Sequence, residues 1–256
     1  MPLVEVDGQR LEYRLIGDRT GGGPLLIFLH HGLGCVELWR DFPDRLTSLV
    51  GCPGLVYSRL GHGRSDPNDW PRPISYLEDQ GRFTLPALLE AFDLNDVILV
   101  GHSEGATISL VCASVVPDRV RGVVAQSLHL FTESVNTQAI AETRTAYSTT
   151  KLRDRLAPYH THVDRMFHGW AETWLQPGFE DWSVEHTIPD IVCPVLAIRG
   201  EHDPYGTNAH HETFKAIGRC PLTTRTVVCG HAPHEERTDE VLEIMQDFIL
   251  GLLDGR

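Results

Sequence analysis

Lysine is almost missing from this chain of 256 residues: Lys151 and Lys215 are the only two. Acidic residues outnumber basic ones 35 to 22, a formal net charge of −13. Nothing here offers the basic surface that a phosphate backbone requires, so a nucleic-acid partner is not expected. No apolar run is long enough to cross a bilayer, and no membrane partner is expected. The opening residues, Met1-Pro2-Leu3-Val4-Glu5-Val6-Asp7, lack the basic start and long apolar stretch of a signal peptide, which predicts a cytoplasmic protein. Six cysteines occur without a C-x-x-C pair or zinc-finger spacing, in keeping with a reducing compartment. Cys112 and Cys193 sit in apolar segments and are expected to pack as small hydrophobes. The fourteen histidines include the adjacent pairs His30-His31 and His210-His211, but neighbouring side chains rarely point into one site, and no H-E-x-x-H spacing occurs. No glycine loop matches a dinucleotide or P-loop pattern. Neither a metal nor a cofactor is expected. There is no internal repeat, no low-complexity tract, and nothing that specifies an oligomeric state.

What is present is a rhythm. Leu11–Leu15 alternates like a strand; Leu25–Leu29 follows a Gly-Gly-Gly-Pro turn and reads as a buried strand. Further strands are expected over Gly54–Ser58, Val97–Val100, Val120–Ala125, Val195–Arg199 and Thr224–Val228. Helical patterns fall between them: Leu38–Leu49, Ser75–Phe92, Ala106–Ala113 and Glu236–Leu253. The last has Val241, Leu242, Ile244, Met245, Phe248 and Leu252 as its expected buried stripe. Repeated strand–helix alternation with wholly apolar strands predicts a parallel sheet covered on both faces. From about 131 to 186 the rhythm stops. No apolar strand run appears there, and Tyr147, Tyr159, Phe167, Trp170, Trp174, Phe179 and Trp182 accumulate. This reads as a helical insertion, either ordinary packing or a lid over a pocket.

The chemistry starts at Gly101-His102-Ser103-Glu104-Gly105, a G-x-S-x-G pentapeptide between an apolar strand and a helix. A serine on so sharp a turn has its hydroxyl exposed, and flanking side chains would clash. The hydroxyl is a poor nucleophile without a base, and the base needs an orienting acid. Each of the two C-terminal strands runs into a candidate: Asp203 in Gly200-Glu201-His202-Asp203-Pro204, and His231 in Gly230-His231-Ala232-Pro233-His234-Glu235. In a parallel sheet both loops share an edge with the Ser103 turn. Taken singly, Ser103 fits a surface turn, Asp203 a helix cap and His231 a loop histidine. Together they follow the order serine, acid, histidine.

With these segments, His30-His31-Gly32-Leu33-Gly34 and Ser58-Arg59-Leu60-Gly61-His62-Gly63-Arg64-Ser65-Asp66, the chain resembles the α/β-hydrolase fold superfamily over nearly its whole length, in the branch of serine esterases and C–C-bond hydrolases. The resemblance implies an eight-stranded, mostly parallel sheet with helices on both faces. Its core would be residues 1–130 and 187–256, with a small helical cap over 131–186. It implies Ser103 as nucleophile, His231 as base and Asp203 as the orienting acid, with Leu33 and Glu104 donating backbone N–H groups to an oxyanion. His234 and Glu201 are the rival base and acid. The family places the base directly after a glycine, and Gly-x-x-Asp spacing favours Asp203. Ser58 stands where the family usually has aspartate. Glu104 is an uncommon neighbour for the nucleophile; if its side chain faces the pocket it would disfavour anionic groups. Dehalogenases and epoxide hydrolases of this fold need an aspartate where Ser103 stands. The expected activity is cleavage of a carboxylic ester, lactone or thioester on a small-molecule substrate with an apolar group. One alternative is C–C cleavage of a ring-cleavage diketo acid, with Arg144, Arg153, Arg155 or Arg165 gripping its carboxylate. The other is a non-catalytic small-molecule receptor.

Overall fold

The computed structural model describes residues 1–19 and 23–255; Gly21 and Gly22 of the expected glycine turn lie outside them. Strands β1 (Leu3–Val6), β2 (Gln9–Ile16), β3 (Leu25–Leu29), β4 (Gly54–Tyr57), β5 (Val97–His102), β6 (Val120–Gln126), β7 (Val195–Gly200) and β8 (Leu222–Val227) form one sheet. Their order is β1-β2-β4-β3-β5-β6-β7-β8. The pairs β1–β2 and β2–β4 are antiparallel, and every later pair is parallel. The strands are apolar throughout because both faces are covered. Leu25, Ile27 and Leu29 turn to one hydrophobic cluster, Leu26 and Phe28 to the other.

The helices are α1 (Phe42–Val50), α2 (Tyr76–Asp79), α3 (Leu85–Ala91), α4 (Glu104–Val115), α5 (Ser134–Thr149), α6 (Leu152–Leu156), α7 (Val163–Trp174), α8 (Ala209–Ile217), α9 (Pro233–Glu236) and α10 (Thr238–Asp254). Helices α1 and α10 pack on the Leu26–Phe28 side of the sheet, and α4 on the other. Three expectations are corrected. The helix expected from Leu38 splits into a 3₁₀ turn (Glu37–Trp39) and α1, because Arg40 between them adopts φ +52°. The helix expected over Ser75–Phe92 is broken by a π-helical turn, Gln80–Thr84. There Gly81 lies so close to α4 that a Cβ would sit 2.5 Å from Val111 Cβ. In α10 the buried residues are Val241, Leu242, Met245 and Ile249. Ile244, Phe248 and Leu252 flank that i, i+4, i+8 row and are only partly buried.

Between β6 and β7 the described residues form helices α5 to α7 and two 3₁₀ turns, with one isolated bridge, Phe131 to Ser183, and no strand. No helix among the described residues is long and apolar enough to span a membrane.

Candidate active site

At the end of β5 the chain must reverse into α4 within one residue. Ser103 does this at φ +54° and ψ −119°, a conformation costing a non-glycine residue of order 1–3 kcal/mol. The surroundings enforce it. Ser103 N–H donates to Gln126 O at 2.8 Å, and Ser103 O accepts from Ala106 N–H at 2.9 Å. Gly105 presses α4 against β3: a Cβ there would lie 2.0 Å from Leu29 O. Ser103 thereby lines a cavity of about 150 Å³ together with His231, Leu33 and Glu104.

His231 sits after β8 and Asp203 after β7. His231 Nδ1 lies 2.8 Å from both Asp203 oxygens. Burial opposes the charge on Asp203, whose side chain is 4% exposed, but the bonds from His231 and from Tyr205 N–H hold its carboxyl below the ordinary value. The backbone of the histidine loop is fixed as well. His231 O accepts from His102 Nε2 at 2.8 Å and from Ser127 Oγ at 2.9 Å. Glu236 accepts from Gly230 N–H and Ala232 N–H, at 2.8 and 3.2 Å. His102 thus packs beneath the turn. His234 lies buried between Trp39, Phe42 and His102, and burial drives its pKa to about 3. Glu201 stays exposed.

The loop carrying Leu33 is held by its carbonyl groups. His31 O accepts from His30 Nδ1 at 2.7 Å and from Arg59 Nη2 at 3.0 Å. Gly32 O is 2.9 Å from His62 Nε2, and Leu33 O is 3.1 Å from His160 Nε2. His30 Nε2 in turn accepts from Arg59 N–H, and His160 Nδ1 from Gly63 N–H, each at 2.9 Å. A ring that donates with one nitrogen and accepts with the other must be neutral. Burial keeps these two rings so: His30 falls well below the ordinary histidine value, and His160 falls to about 4. Both nitrogens of His62 face carbonyl oxygens, of Gly32 and Leu60, and burial lowers its pKa as well. Three of the fourteen histidines therefore serve this loop. Leu33 N–H makes a long 3.3 Å contact to His31 Nδ1. Gly32 lets Trp170 close over the loop, since a Cβ there would lie 2.2 Å from Trp170 Nε1.

Glu104 also lines the cavity, and the charge of its buried side chain is matched. Oε2 accepts from Arg59 Nη2 at 2.7 Å; Oε1 accepts from Trp174 Nε1 at 2.7 Å and from Tyr76 OH. Burial opposes its ionisation, yet Arg59, Arg72 and these donors hold its carboxyl below the ordinary value. The expected repulsion of anions is thus offset by Arg59. Removing one member of a buried pair leaves the other uncompensated. Glu104→Ala should therefore lose about 3–5 kcal/mol of stability in urea unfolding. The double variant with Arg59→Met should lose less than the sum of the two singles, and strict additivity would refute the coupling.

Where the family usually has aspartate after β4, Ser58 Oγ donates to Glu12 Oε2 at 2.7 Å. Glu12 comes from β2, is 1% exposed, and also accepts from Arg64 N–H. The carboxylate that position 58 lacks is thus supplied from another strand. Glu12, Ser127, Tyr205 and Glu236 carry no sequence signature of a site residue. Their partners lie far away in the sequence or in a turn, and no spacing marks them. Of the aromatic residues in 131–186, Trp170 and Trp174 line the cavity. Tyr147 stacks on Phe167 and Phe179 on Trp182, while Tyr159 is exposed. Arg144, Arg153 and Arg165 pair at the surface with Glu172, Asp164 and Asp69, and Arg155 is exposed. No group of three or more metal-ligating side chains occurs among the described residues.

A strained serine on a strand–helix turn of this sheet, with a histidine–carboxylate pair on neighbouring loops, defines an α/β-hydrolase frame. Residues 26–244 match the alpha/beta hydrolase family, and the chain belongs to it. It is 24% identical over 255 residues to the human serine hydrolase BPHL, covering 96% of this chain and 85% of that protein. It is 34% identical over 135 residues to a haloalkane dehalogenase of Mycolicibacterium smegmatis, which covers 51% of this chain and 39% of that one. In fold it is similar to an enol-lactonase from Burkholderia xenovorans, with TM-score 0.78, 20% identity, and 97% and 99% of the two chains covered. The relatives are hydrolases of several kinds, and the chain is a hydrolase of the α/β type.

Proposed function

We propose that this protein cleaves a small carboxylic ester, lactone or thioester through an acyl-enzyme on Ser103. The observation that carries the reading is the strained Ser103 turn in one cavity with His231, whose Nδ1 is held by Asp203. Ser103 Oγ attacks the carbonyl carbon as His231 Nε2 takes its proton; Asp203 fixes the tautomer and stabilises the imidazolium. The tetrahedral oxyanion accepts from Leu33 N–H, displacing the long contact to His31, and from Glu104 N–H. The imidazolium then protonates the leaving alcohol or thiol. Water, activated by His231, releases the acid in a second round of the same steps.

Residues 131–186 act as a cap in this reading: Asn136 and Ile140 from α5, and Trp170 and Trp174 from α7, close the cavity. At about 150 Å³ it matches the engineered apolar cavity that holds benzene, so the group it admits is small. The C–C-hydrolase reading is weakened, because the candidate arginines of the cap do not line the cavity. The six cysteines, five of them buried, form no disulfide among the described residues, which suits a reducing cytoplasm. Short acyl p-nitrophenyl esters, lactones and acyl thioesters should be turned over, with an acyl adduct on Ser103 in acid-quenched samples. Cleavage of a vinylogous diketo acid but of no ester would favour the alternative. Binding without any turnover would favour a receptor.

A further inference from the structure

Most polar side chains of the cavity wall have their work assigned. Ser103 and His231 face the reacting bond, Glu104 is bonded to Arg59, Tyr76 and Trp174, and Tyr205 OH lies 2.7 Å from Thr143 Oγ1. In two further wall residues one buried side-chain atom has no hydrogen-bond partner among the described residues. His129 follows β6 and is 3% exposed, with Nδ1 unpartnered; Asn136 lies in the first turn of α5 and is 2% exposed, with Oδ1 unpartnered. Leaving such a group buried and unpaired costs about 1–3 kcal/mol. Folded proteins tolerate that cost where another molecule supplies the partner.

Of the remaining wall, Leu33, Ile140, Trp170 and Trp174 are apolar or aromatic, and His31 is held neutral, its pKa driven to about 3 by burial. No lysine or arginine lines it. The His129 ring lies 5.9 Å from that of His231, so this polar position adjoins the reacting centre. Burial holds the His129 ring well below the ordinary histidine value, so it is neutral and can donate with one nitrogen and accept with the other. Asn136 likewise offers an acceptor and two donors without charge. A carboxylate would find no lysine or arginine in the wall to pair with.

We infer that His129 and Asn136 form a neutral hydrogen-bonding subsite for a hydroxyl, carbonyl or amide group on a small uncharged acyl or lactone substrate. The kinetic test rests on the ester-hydrolase reading; the binding test does not. For kinetics, kcat/KM is measured for p-nitrophenyl lactate, p-nitrophenyl propanoate and mono-p-nitrophenyl succinate, each divided by its hydroxide-catalysed rate. The lactate-to-propanoate ratio should be about 10 in the wild type, the worth of one neutral hydrogen bond, and the succinate should be the poorest substrate. In Asn136→Leu and in His129→Phe the ratio should fall towards one, a change that general loss of activity does not mimic. A wild-type ratio of one or below, or a ratio unmoved in both variants, would overturn the subsite. If no ester is cleaved, the hydrolase reading falls alone. The subsite is then decided by binding of lactamide and propanamide to Ser103→Ala protein, followed by ligand-observed NMR. Lactamide should bind about tenfold more tightly, and equal affinities would overturn it.

Discussion

Ser103→Ala is expected to lower kcat for any ester or lactone substrate by roughly 10⁴- to 10⁶-fold, the range found when a triad member is removed. The loss should be specific to the chemistry. Ser103 is 7% exposed, and its hydrogen bonds to the described residues are made by its backbone, so its hydroxyl does not hold the fold. Alanine keeps the N–H to Gln126 O and leaves the cavity open. KM should change by much less than kcat, and urea unfolding should shift little. Stability would even rise if the hydroxyl were the source of strain. The strain lies in the backbone, however, and alanine inherits φ +54°. A variant that retained a tenth of the wild-type kcat would end the acyl-enzyme account.

Unfolding in mild acid is the second large expected effect, and it follows from the buried histidines. Burial lowers His160 and His211 to about 4 and His234 to about 3. His30, His62, His102 and His129 are lowered in the same direction for the same reason. The unfolded chain takes these protons near pH 6.5. Above that pH both states are neutral and the groups are silent. As pH falls below 6.5 the unfolded state binds protons that the folded state refuses, so stability is lost. Each such group costs about 1.4 kcal/mol per pH unit until its folded value is reached. A domain of this kind has only about 5–15 kcal/mol in hand. The carboxyls of Asp203 and Glu104 are depressed instead, and they add their own loss only at lower pH, below the ordinary carboxylate range. Circular dichroism should therefore show cooperative unfolding with a midpoint between about pH 5 and 6. A fold intact at pH 4 would contradict the neutral, buried state of these rings. Because His30, His62 and His160 hold the carbonyls of residues 31 to 33, activity should fall at or above the unfolding pH, not below it.

The sequence was most legible where burial is uniform. Leu25–Leu29 is marked in the sequence with its bounds intact, because a strand covered on both faces leaves a continuous apolar run. The edges were harder. β1 leaves no strand signal in the sequence: Leu3 is exposed, and only Val6 of its four residues is fully buried. β8 begins two residues early, at Leu222, and its outer position leaves Thr226 exposed in place of an apolar run. Helix α8 carries no apolar stripe, because Phe214 is its only buried apolar side chain; the others buried are His210 and His211. In the site, the G-x-S-x-G pattern and two strand-end loops pointed to Ser103, Asp203 and His231 because local turn chemistry is written locally. Glu12 and the Arg59–Glu104 pair join strands and loops that meet only in the folded sheet. Glu104 was visible as an odd neighbour of the nucleophile, but the residue that balances its charge was not.

The central claim is that Ser103 is an activated nucleophile. The most direct measurement is reaction of the folded protein with a fluorophosphonate at neutral pH, followed by peptide mass spectrometry. The account predicts one adduct per chain, on Ser103, lost on prior denaturation and strongly slowed in His231→Ala. An unlabelled Ser103 in folded protein, or labelling that ignores His231, would contradict it.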